Sequence, residues 1–163
     1  FAYSATTPPT LDLSSWDTSA VTNMSYMFYE FALSATTPPT LDLSSWDTSS
    51  VTNMSSMFYY FAYSATTPPT LDLSSWDTSA VTSMSYMLSS FADSAPSAKL
   101  RFSDENASQA MPMQSGAFSN SKLITANSNF KIYVPDNFYD TYKTMTNWSQ
   151  VYAAGNLEYQ SNW

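Results

Sequence analysis

The chain has 163 residues and a formal net charge of −8, because only five lysines and arginines stand against thirteen acidic residues. This balance argues against nucleic acid, which needs clustered basic side chains, and against anionic membranes. With no cysteine and no histidine, the chain has no disulfide, no thiolate ligand and no imidazole base, and no apolar run approaches the ~18 residues of a membrane-spanning helix.

Three near-identical copies of a 30-residue unit fill residues 1–90, and they begin at Phe1, Phe31 and Phe61. The second copy differs from the first at only four positions, and the third differs at four others. A fixed period of this length is typical of solenoids, in which each unit stacks on the next and identical residues align. We therefore predict a stack of about five units, called rungs below.

Each copy opens with an extended lead-in and a short strand. Residues 6–10 read Thr-Thr-Pro-Pro-Thr, and the paired prolines disfavour a helix because each removes a donor and keeps the preceding residue extended. Leucine then alternates with a polar residue, which predicts one parallel strand per copy, at residues 11–13, 41–43 and 71–73.

A turn and a short helix are predicted to complete each copy. Residues 15–19 have the composition of a turn. Apolar side chains then recur every three or four residues, at Val21, Met24, Met27 or Phe28, and Phe31. This spacing predicts about two turns of helix, beginning at Thr22 or Asn23.

Residues 91–129 form a degenerate fourth rung. Residues 100–102 take the place of the strand, which puts Arg101 where the earlier copies have aspartate. Residues 104–116 resemble the repeat least, so we expect an irregular loop there. The repeat register returns at Ala117 and Phe118, three repeat lengths after Met27 and Phe28.

Residues 130–163 are predicted to hold the final strand and a C-terminal cap. A fifth strand is expected within either residues 123–126 or 130–134, and the second interval alternates cleanly. A helix that starts at Pro135 and Asp136 should follow, with one face formed by Phe138, Tyr142 and Met145. Trp148, Val151 and Tyr152 should extend it.

The segment LDLSSWDTSAVTNMSYMF resembles the repeat of bacterial surface proteins with BspA-like leucine-rich repeats, in the subgroup with LDLSxWDTSxVTNMSxMF units. The ending FKIYVPDNFYDTYKTMTNWSQVY is similar to the terminal rung and cap of the same superfamily. The resemblance implies an α/β repeat solenoid that is leucine-rich-repeat-like, with a parallel sheet on one face, short helices on the other and a helical cap. It also implies an extracellular setting, in bacterial adhesins or phage-encoded proteins.

One carboxylate per copy falls on the exposed face of the predicted strands, at Asp12, Asp42 and Asp72. In register, these groups would lie about 4.8 Å apart and repel by roughly 1 kcal/mol per pair in water. Two interpretations stay open: a solvated acidic stripe, or a site for Ca²⁺, which favours several oxygen ligands. No other cofactor is expected. Arg101 aligns directly beyond Asp72 and would end the stripe with a cation.

A second carboxylate in each copy follows a tryptophan, as in the pair Trp16 and Asp17. An aromatic ring beside a carboxylate can form a carbohydrate-binding surface. The alternative is that the aspartate caps a turn and the tryptophan packs between rungs.

Six tyrosines at or beside positions that vary between copies are candidate contacts with a partner. They are Tyr3, Tyr26, Tyr29, Tyr59, Tyr60 and Tyr63. Variation among otherwise identical copies indicates exposure, and exposed tyrosine is favoured in binding surfaces.

No catalytic residue is predicted, because the carboxylates are copied with the repeat, whereas catalytic groups arise at unique positions with shifted pKa values. We expect a non-enzymatic protein of the cell surface or virion that acts in adhesion or receptor binding, with a host or cell-surface protein or a glycan as its partner. The alternative is a structural spacer or fibre-forming subunit whose copies associate end to end.

Overall fold

The computed structural model describes residues 3–8, 11–102, 113–126 and 129–163, and its sheet consists of parallel strands. The four strands are β1 (Thr70–Leu73), β2 (Ser97–Phe102), β3 (Asn129–Val134) and β4 (Leu157–Tyr159). They lie side by side in chain order. From the third copy onward, each successive unit thus adds one strand to the sheet.

The strand prediction is confirmed for the third copy and the fourth rung. Leu71 of β1 lies opposite Leu100 of β2, and Leu73 lies opposite Phe102. All four side chains are buried. The alternation of apolar and polar residues therefore places one face of these strands in the core, as predicted.

The strand prediction is wrong for the first two copies, because residues 11–13 and 41–43 belong to no strand. Paired prolines precede each of these segments, and proline removes a donor from a ladder. β1 also follows paired prolines, but it still forms a strand because the N–H groups of its partner β2 donate to carbonyls at its start. Lys99 N, for example, donates to Pro69 O at 3.1 Å.

The predicted helix of each copy is also wrong, because the segment from Met24 to Ala35 is a run of overlapping turns. Each turn joins residues three apart, as in the bonds Met27 N to Met24 O (3.3 Å), Tyr29 N to Tyr26 O (3.1 Å) and Phe31 N to Phe28 O (3.1 Å). Tyr26, Glu30 and Ala32 have φ of 61°, 52° and 56°, which a right-handed helix excludes. A spacing of three or four residues buries one face in either conformation, so the pattern did not distinguish them.

The alternate amides of this run donate to the neighbouring copy. The N–H groups of Met24, Tyr26, Phe28 and Glu30 donate to the carbonyls of Asn53, Ser55, Met57 and Tyr59 at 2.8 to 3.0 Å. The second copy donates to the third in the same way, for example from Phe58 N to Met87 O at 2.9 Å. Bonds within a copy and between copies thus alternate along the chain.

The left-handed residues recur at equivalent positions in successive units. One such column contains Tyr26, Ser56, Tyr86 and Gly116, and a second contains Glu30, Tyr60, Ser90 and Asn120. A left-handed residue with a side chain costs roughly 1–2 kcal/mol in backbone strain, so we attribute its persistence to the hydrogen bonds between copies. Glycine and asparagine, which adopt this conformation most readily, occupy the two columns in the fourth rung.

Equivalent side chains also stack in the core. Leu13, Leu43 and Leu73 are all buried, and so are Met24, Met54 and Met84. The rings of Phe28 and Phe58 stack with centroids 5.4 Å apart, and those of Phe61 and Phe91 with centroids 5.5 Å apart. The core is therefore built from columns of like residues, one from each copy.

The fourth rung recovers the repeat register where the sequence predicts. Leu88 N donates to Ala117 O at 2.9 Å, which repeats the bond from Phe58 N to Met87 O. Most of the irregular loop predicted at residues 104–116, namely residues 104–112, lies outside the described residues. The fifth strand is β3, in the second of the two intervals, while the first interval overlaps a 3-10 helix, Lys122–Ile124.

The C-terminal cap contains two short helices, α1 (Tyr139–Thr144) and α2 (Trp148–Ala153), between 3-10 helices at Asp136–Phe138 and Gln160–Asn162. The single predicted helix is thus divided at Asn147, which has a φ of 69°. Trp148 is fully buried, and its ring lies 5.2 Å from that of Phe118. This contact joins the cap to the fourth rung.

Candidate functional site

Six tyrosine rings form a connected surface over the turn run, which we call the tyrosine cluster. Its members are Tyr26, Tyr29, Tyr59, Tyr60, Tyr63 and Tyr86. The rings of Tyr29 and Tyr59 stack with centroids 5.3 Å apart and planes only 6° from parallel. Tyr59 contacts Tyr60 edge-on at 4.5 Å, and Tyr60 contacts Tyr63 at 5.1 Å. Tyr26 lies 5.6 Å from Tyr29, and Tyr86 lies 6.5 Å from Tyr59.

The cluster has a packed base and two projecting rings. Tyr26 is 61% exposed and Tyr86 is 47% exposed, whereas the other four rings are half-buried. Rings that already pack on one another have few rotamers to lose on binding, and ordering a side chain at an interface otherwise costs about 0.5–1.5 kcal/mol. The four half-buried rings at the base of the cluster therefore have little side-chain freedom left to lose.

Large and small residues alternate along the column of Tyr26, Ser56, Tyr86 and Gly116. The Tyr86 ring lies directly over Gly116, where an added Cβ would be 2.4 Å from Tyr86 Cε1. Ser56 is only 7% exposed although its neighbours in the column project into solvent. Ser56 and Gly116 are small enough to leave space for the neighbouring tyrosine rings, and a tyrosine at either position would overfill that space.

This packing corrects the inference that positions which vary between copies are exposed. Ser56, Leu88, Ser89 and Ser90 all vary, and all four are buried. The last three face the degenerate fourth rung, since Ser89 Oγ and Ser90 N both donate to Ser119 O, at 2.8 and 3.0 Å. Leu88, Ser89 and Ser90 therefore differ from their equivalents because they pack against the degenerate fourth rung instead of another copy of the repeat.

Two phenols at the base of the cluster, those of Tyr29 and Tyr59, remain protonated at neutral pH. Burial raises the pKa of Tyr29, and a hydrogen bond to Glu30 and the charge of that carboxylate raise it further. Burial also raises the pKa of Tyr59, with a contribution from its hydrogen bond to Tyr60. These hydroxyls therefore offer donors as well as apolar ring surface.

One predicted tyrosine lies apart, and one member of the cluster was missed. Tyr3 is 55% exposed, but in the described part of the chain no ring contact joins it to the cluster. Tyr86 is the third-copy equivalent of Tyr26, so the sequence carried the same signal for both.

The carboxylates of the predicted acidic stripe form local turns. Asp12 Oδ1 accepts hydrogen bonds from Ser14 N (3.1 Å) and Ser14 Oγ (2.6 Å), and Asp42 accepts the same pair from Ser44. These hydroxyl and amide bonds lower the pKa of both carboxyl groups. Asp72 Oδ1 accepts from the backbone N–H two residues on, at 2.9 Å.

The Ca²⁺ hypothesis for Asp12, Asp42 and Asp72 stays a prediction that the geometry does not support. Across the described residues, no group of three or more acidic side chains is arranged to hold a metal ion. The turn bonds give these aspartates a structural role without a cation.

The tryptophan and aspartate pairs behave as turn and packing residues. Asp17 Oδ1 accepts from Ser19 N (3.1 Å) and Ser19 Oγ (2.6 Å), and the second copy repeats this turn. Trp46 and Trp76 are buried, with ring centroids 6.3 Å apart, and Trp16 stacks on Trp46 at 6.1 Å. Because Trp46 and Trp76 are buried, they are not available as a carbohydrate-binding face, whereas Trp16 is 49% exposed.

The stacked units, the parallel sheet and the short helices define an α/β repeat protein. The chain belongs to the family described as Mycoplasma protein of unknown function, DUF285, whose model matches residues 2–130. This membership is consistent with a BspA-like repeat protein. A search of curated proteins and a search of solved structures found no significant match to this chain. Among the helices in the described ranges, none combines the length and apolar character needed to cross a membrane.

Proposed function

We propose that this chain forms a BspA-like, leucine-rich-repeat-like solenoid that acts outside the cell in adhesion or receptor binding, on a cell surface or a virion. Its partner is a host or cell-surface protein or a glycan. The tyrosine cluster is the observation that carries the proposal.

The chemistry of the cluster suits a recognition surface. Tyrosine supplies a large, rigid contact area together with a polar hydroxyl, and it is enriched in interfaces for that reason. Tyr26 and Tyr86 project from a base of half-buried rings. A partner could therefore bury two aromatic side chains whose positions are already fixed.

The solenoid is supported by bonds that link residues about one repeat apart. Met24 N reaches Asn53 O and Met54 N reaches Ser83 O, both at 2.8 Å. Isolated parallel bridges pair Asn23 with Asn53 and Asn53 with Ser83. When every unit contacts only its neighbours, units can be added without changing the existing contacts.

The proposal is non-enzymatic. A general acid or base that works near neutral pH needs a pKa tuned toward that range. The pKa values of Asp12 and Asp42 are instead lowered by hydrogen bonds from Ser14 and Ser44, which suits a turn-forming carboxylate.

The test is to screen the purified chain on arrays of glycans and of cell-surface protein ectodomains, and to compare it with a variant carrying Tyr26→Ser and Tyr86→Ser. Serine occupies this position in the second copy, at Ser56, so the fold should tolerate the change. We expect at least about tenfold weaker binding, which corresponds to roughly 1.4 kcal/mol.

Tyr152→Ser is the matched control, because Tyr152 is 43% exposed and lies in the cap. It should leave binding unchanged. No binding to either array by the unmodified chain, or equal losses in the two variants, would contradict the proposal.

The spacer or fibre alternative is favoured by one observation, the near-identity of the three copies, because the second and the third copy each differ from the first at only four positions. Near-identical units make the same contacts wherever two of them meet, which suits a structure whose repeats set length and stiffness. This alternative predicts a sedimentation coefficient that rises with protein concentration and no binding to either array.

A further inference from the structure

A polar pocket lies at the other end of the molecule from the first copy, at the carboxyl ends of three sheet strands. It has a volume of about 450 Å³, and its lining consists of Arg101, Pro135, Asp136, Asn137, Gln160 and Ser161. These residues lie near the end of β2 or directly after β3 and β4. Ligand pockets typically measure about 300–1,000 Å³, so this pocket is large enough for a small ligand.

Two walls of the pocket are joined by a hydrogen bond. Asp136 Oδ1 accepts from Ser161 N at 3.1 Å. Bonds from Ser161, through its side chain first and then its backbone, lower the pKa of Asp136, so the carboxylate is ionised at neutral pH. The segment after β3 is thereby fixed against the segment after β4, and the pocket is preformed.

Arg101 brings donors to the third wall. Its Nη1 lies 3.4 Å from Asp72 Oδ2. A guanidinium has five N–H donors, so this ion pair leaves others that can donate to a ligand.

The charges around the pocket do not favour an anion. Arg101 contributes a positive charge to the lining. Asp72 forms an ion pair with it, and Asp136 is a second carboxylate, in the lining itself. The remaining polar lining includes Asn137 and Ser161, which can each donate and accept. Pro135 is the apolar contribution. The pocket therefore matches a neutral ligand that is rich in groups which both donate and accept.

We propose that this pocket binds a neutral saccharide through its hydroxyl groups. Each sugar hydroxyl can donate to the Asp136 carboxylate and accept from Arg101 or from the Asn137 amide. The inference is separate from the proposed role of the tyrosine cluster, since it concerns different residues in a different part of the chain.

The experiment measures binding of free sugars by ligand-observed NMR. The probes are glucose, galactose, mannose and N-acetylglucosamine as neutral sugars, with glucuronic acid and sialic acid as acidic ones. We expect a neutral sugar to bind with a dissociation constant below about 10 mM. Asn137→Ala should weaken this binding about tenfold, the effect of losing roughly 1.4 kcal/mol.

Asn162→Ala is the matched control, because Asn162 is an exposed asparagine in the cap that does not line the pocket. It should leave sugar binding unchanged. The inference is overturned when no neutral sugar binds, when the acidic sugars bind more tightly, or when both asparagine variants lose binding equally. Tyr26→Ser with Tyr86→Ser should leave sugar binding intact, so the failure of one proposal is distinguishable from the failure of the other.

Discussion

Arg101 of β2 pairs with Asp72 of β1 across the sheet, with Arg101 Nη1 3.4 Å from Asp72 Oδ2. The two residues are directly opposite in the strand register. The sequence aligned Arg101 with the aspartate position of the repeat, although Arg101 follows Asp72 by 29 residues instead of 30, and this pairing confirms the alignment. The acidic position of the repeat therefore meets a cation in the fourth rung.

Arg101→Gln should lower the free energy of unfolding by only about 0–1 kcal/mol, the usual range for an exposed pair. The side chains of Arg101 and Asp72 are 27% and 44% exposed, so salt should screen their attraction. Urea denaturation at low salt and at about 1 M salt measures the effect. Combined with Asp72→Asn, a double-mutant cycle should give a coupling that disappears at high salt; a coupling that persists there would contradict this account.

Leu43→Ala should destabilise the fold by roughly 2–5 kcal/mol, because it removes a buried leucine from a packed core. Leu43 is 1% exposed and lies between its equivalents Leu13 and Leu73 in the repeat. The denaturant midpoint should fall without a large change in the slope of the transition. A loss below about 1 kcal/mol would show that the site collapses around the cavity.

Tyr26→Ser and its reverse, Ser56→Tyr, should have opposite consequences although they exchange the same two residues at equivalent positions. Tyr26 is 61% exposed, so its loss should change stability by no more than about 0.5 kcal/mol. Ser56 is 7% exposed, so a ring there should overpack the site and cost about 1–3 kcal/mol. Thermal unfolding of the two variants compares them directly, and equal effects would contradict the alternation of large and small residues.

Stability should fall in acid as the turn-forming aspartates are protonated. The pKa of Asp42 is lowered from 3.8 by the Ser44 hydroxyl and then by the Ser44 amide. A lowered pKa in the folded state means that the stabilising contribution is present above pH 3.8 and is lost as the pH falls through the folded value. NMR titration should show that Ser44→Ala raises the pKa of Asp42, whereas Ser45→Ala, which changes the adjacent residue, should not.

The sequence was sufficient for the repeat, for most of the buried positions and for β1 and β2, and β3 lies in one of the two intervals that it left open, whereas β4 was not predicted. It predicted which leucines, methionines and phenylalanines are buried, because a 30-residue period aligns them in columns whatever the backbone does between them. It did not predict the turn run, because overlapping turns and a helix bury side chains at the same spacing. The evidence that separates them, left-handed φ at Tyr26 and Glu30, is unusual for residues other than glycine, asparagine and aspartate.

The candidate site was predicted in part. The tyrosines were identified from their variation between copies, but the contacts among them depend on stacking between copies that composition does not reveal. Ser56 shows the limit of the argument, since it varies and yet is buried. The polar pocket was not predicted, because its residues come from three segments separated by more than twenty positions.

Gly116→Ala should test the packing of the tyrosine column, with Gly155→Ala as its control. The two glycines have nearly the same backbone, with φ of 77° and 74°. An added Cβ at Gly155 meets no atom within 4 Å, whereas one at Gly116 would lie 2.4 Å from Tyr86 Cε1. Gly155→Ala should therefore cost about 1 kcal/mol for the left-handed conformation alone.

Gly116→Ala should cost more, because the Tyr86 ring must also move off the backbone it covers. Adding Tyr86→Ser should reduce the cost of Gly116→Ala to that of Gly155→Ala, since the obstructing ring is then absent. Chemical denaturation of the two single glycine variants, Tyr86→Ser and the double variant completes the comparison. Equal costs at the two glycines would mean that Tyr86 moves freely, and Tyr86 could then not be a preorganised part of the binding surface.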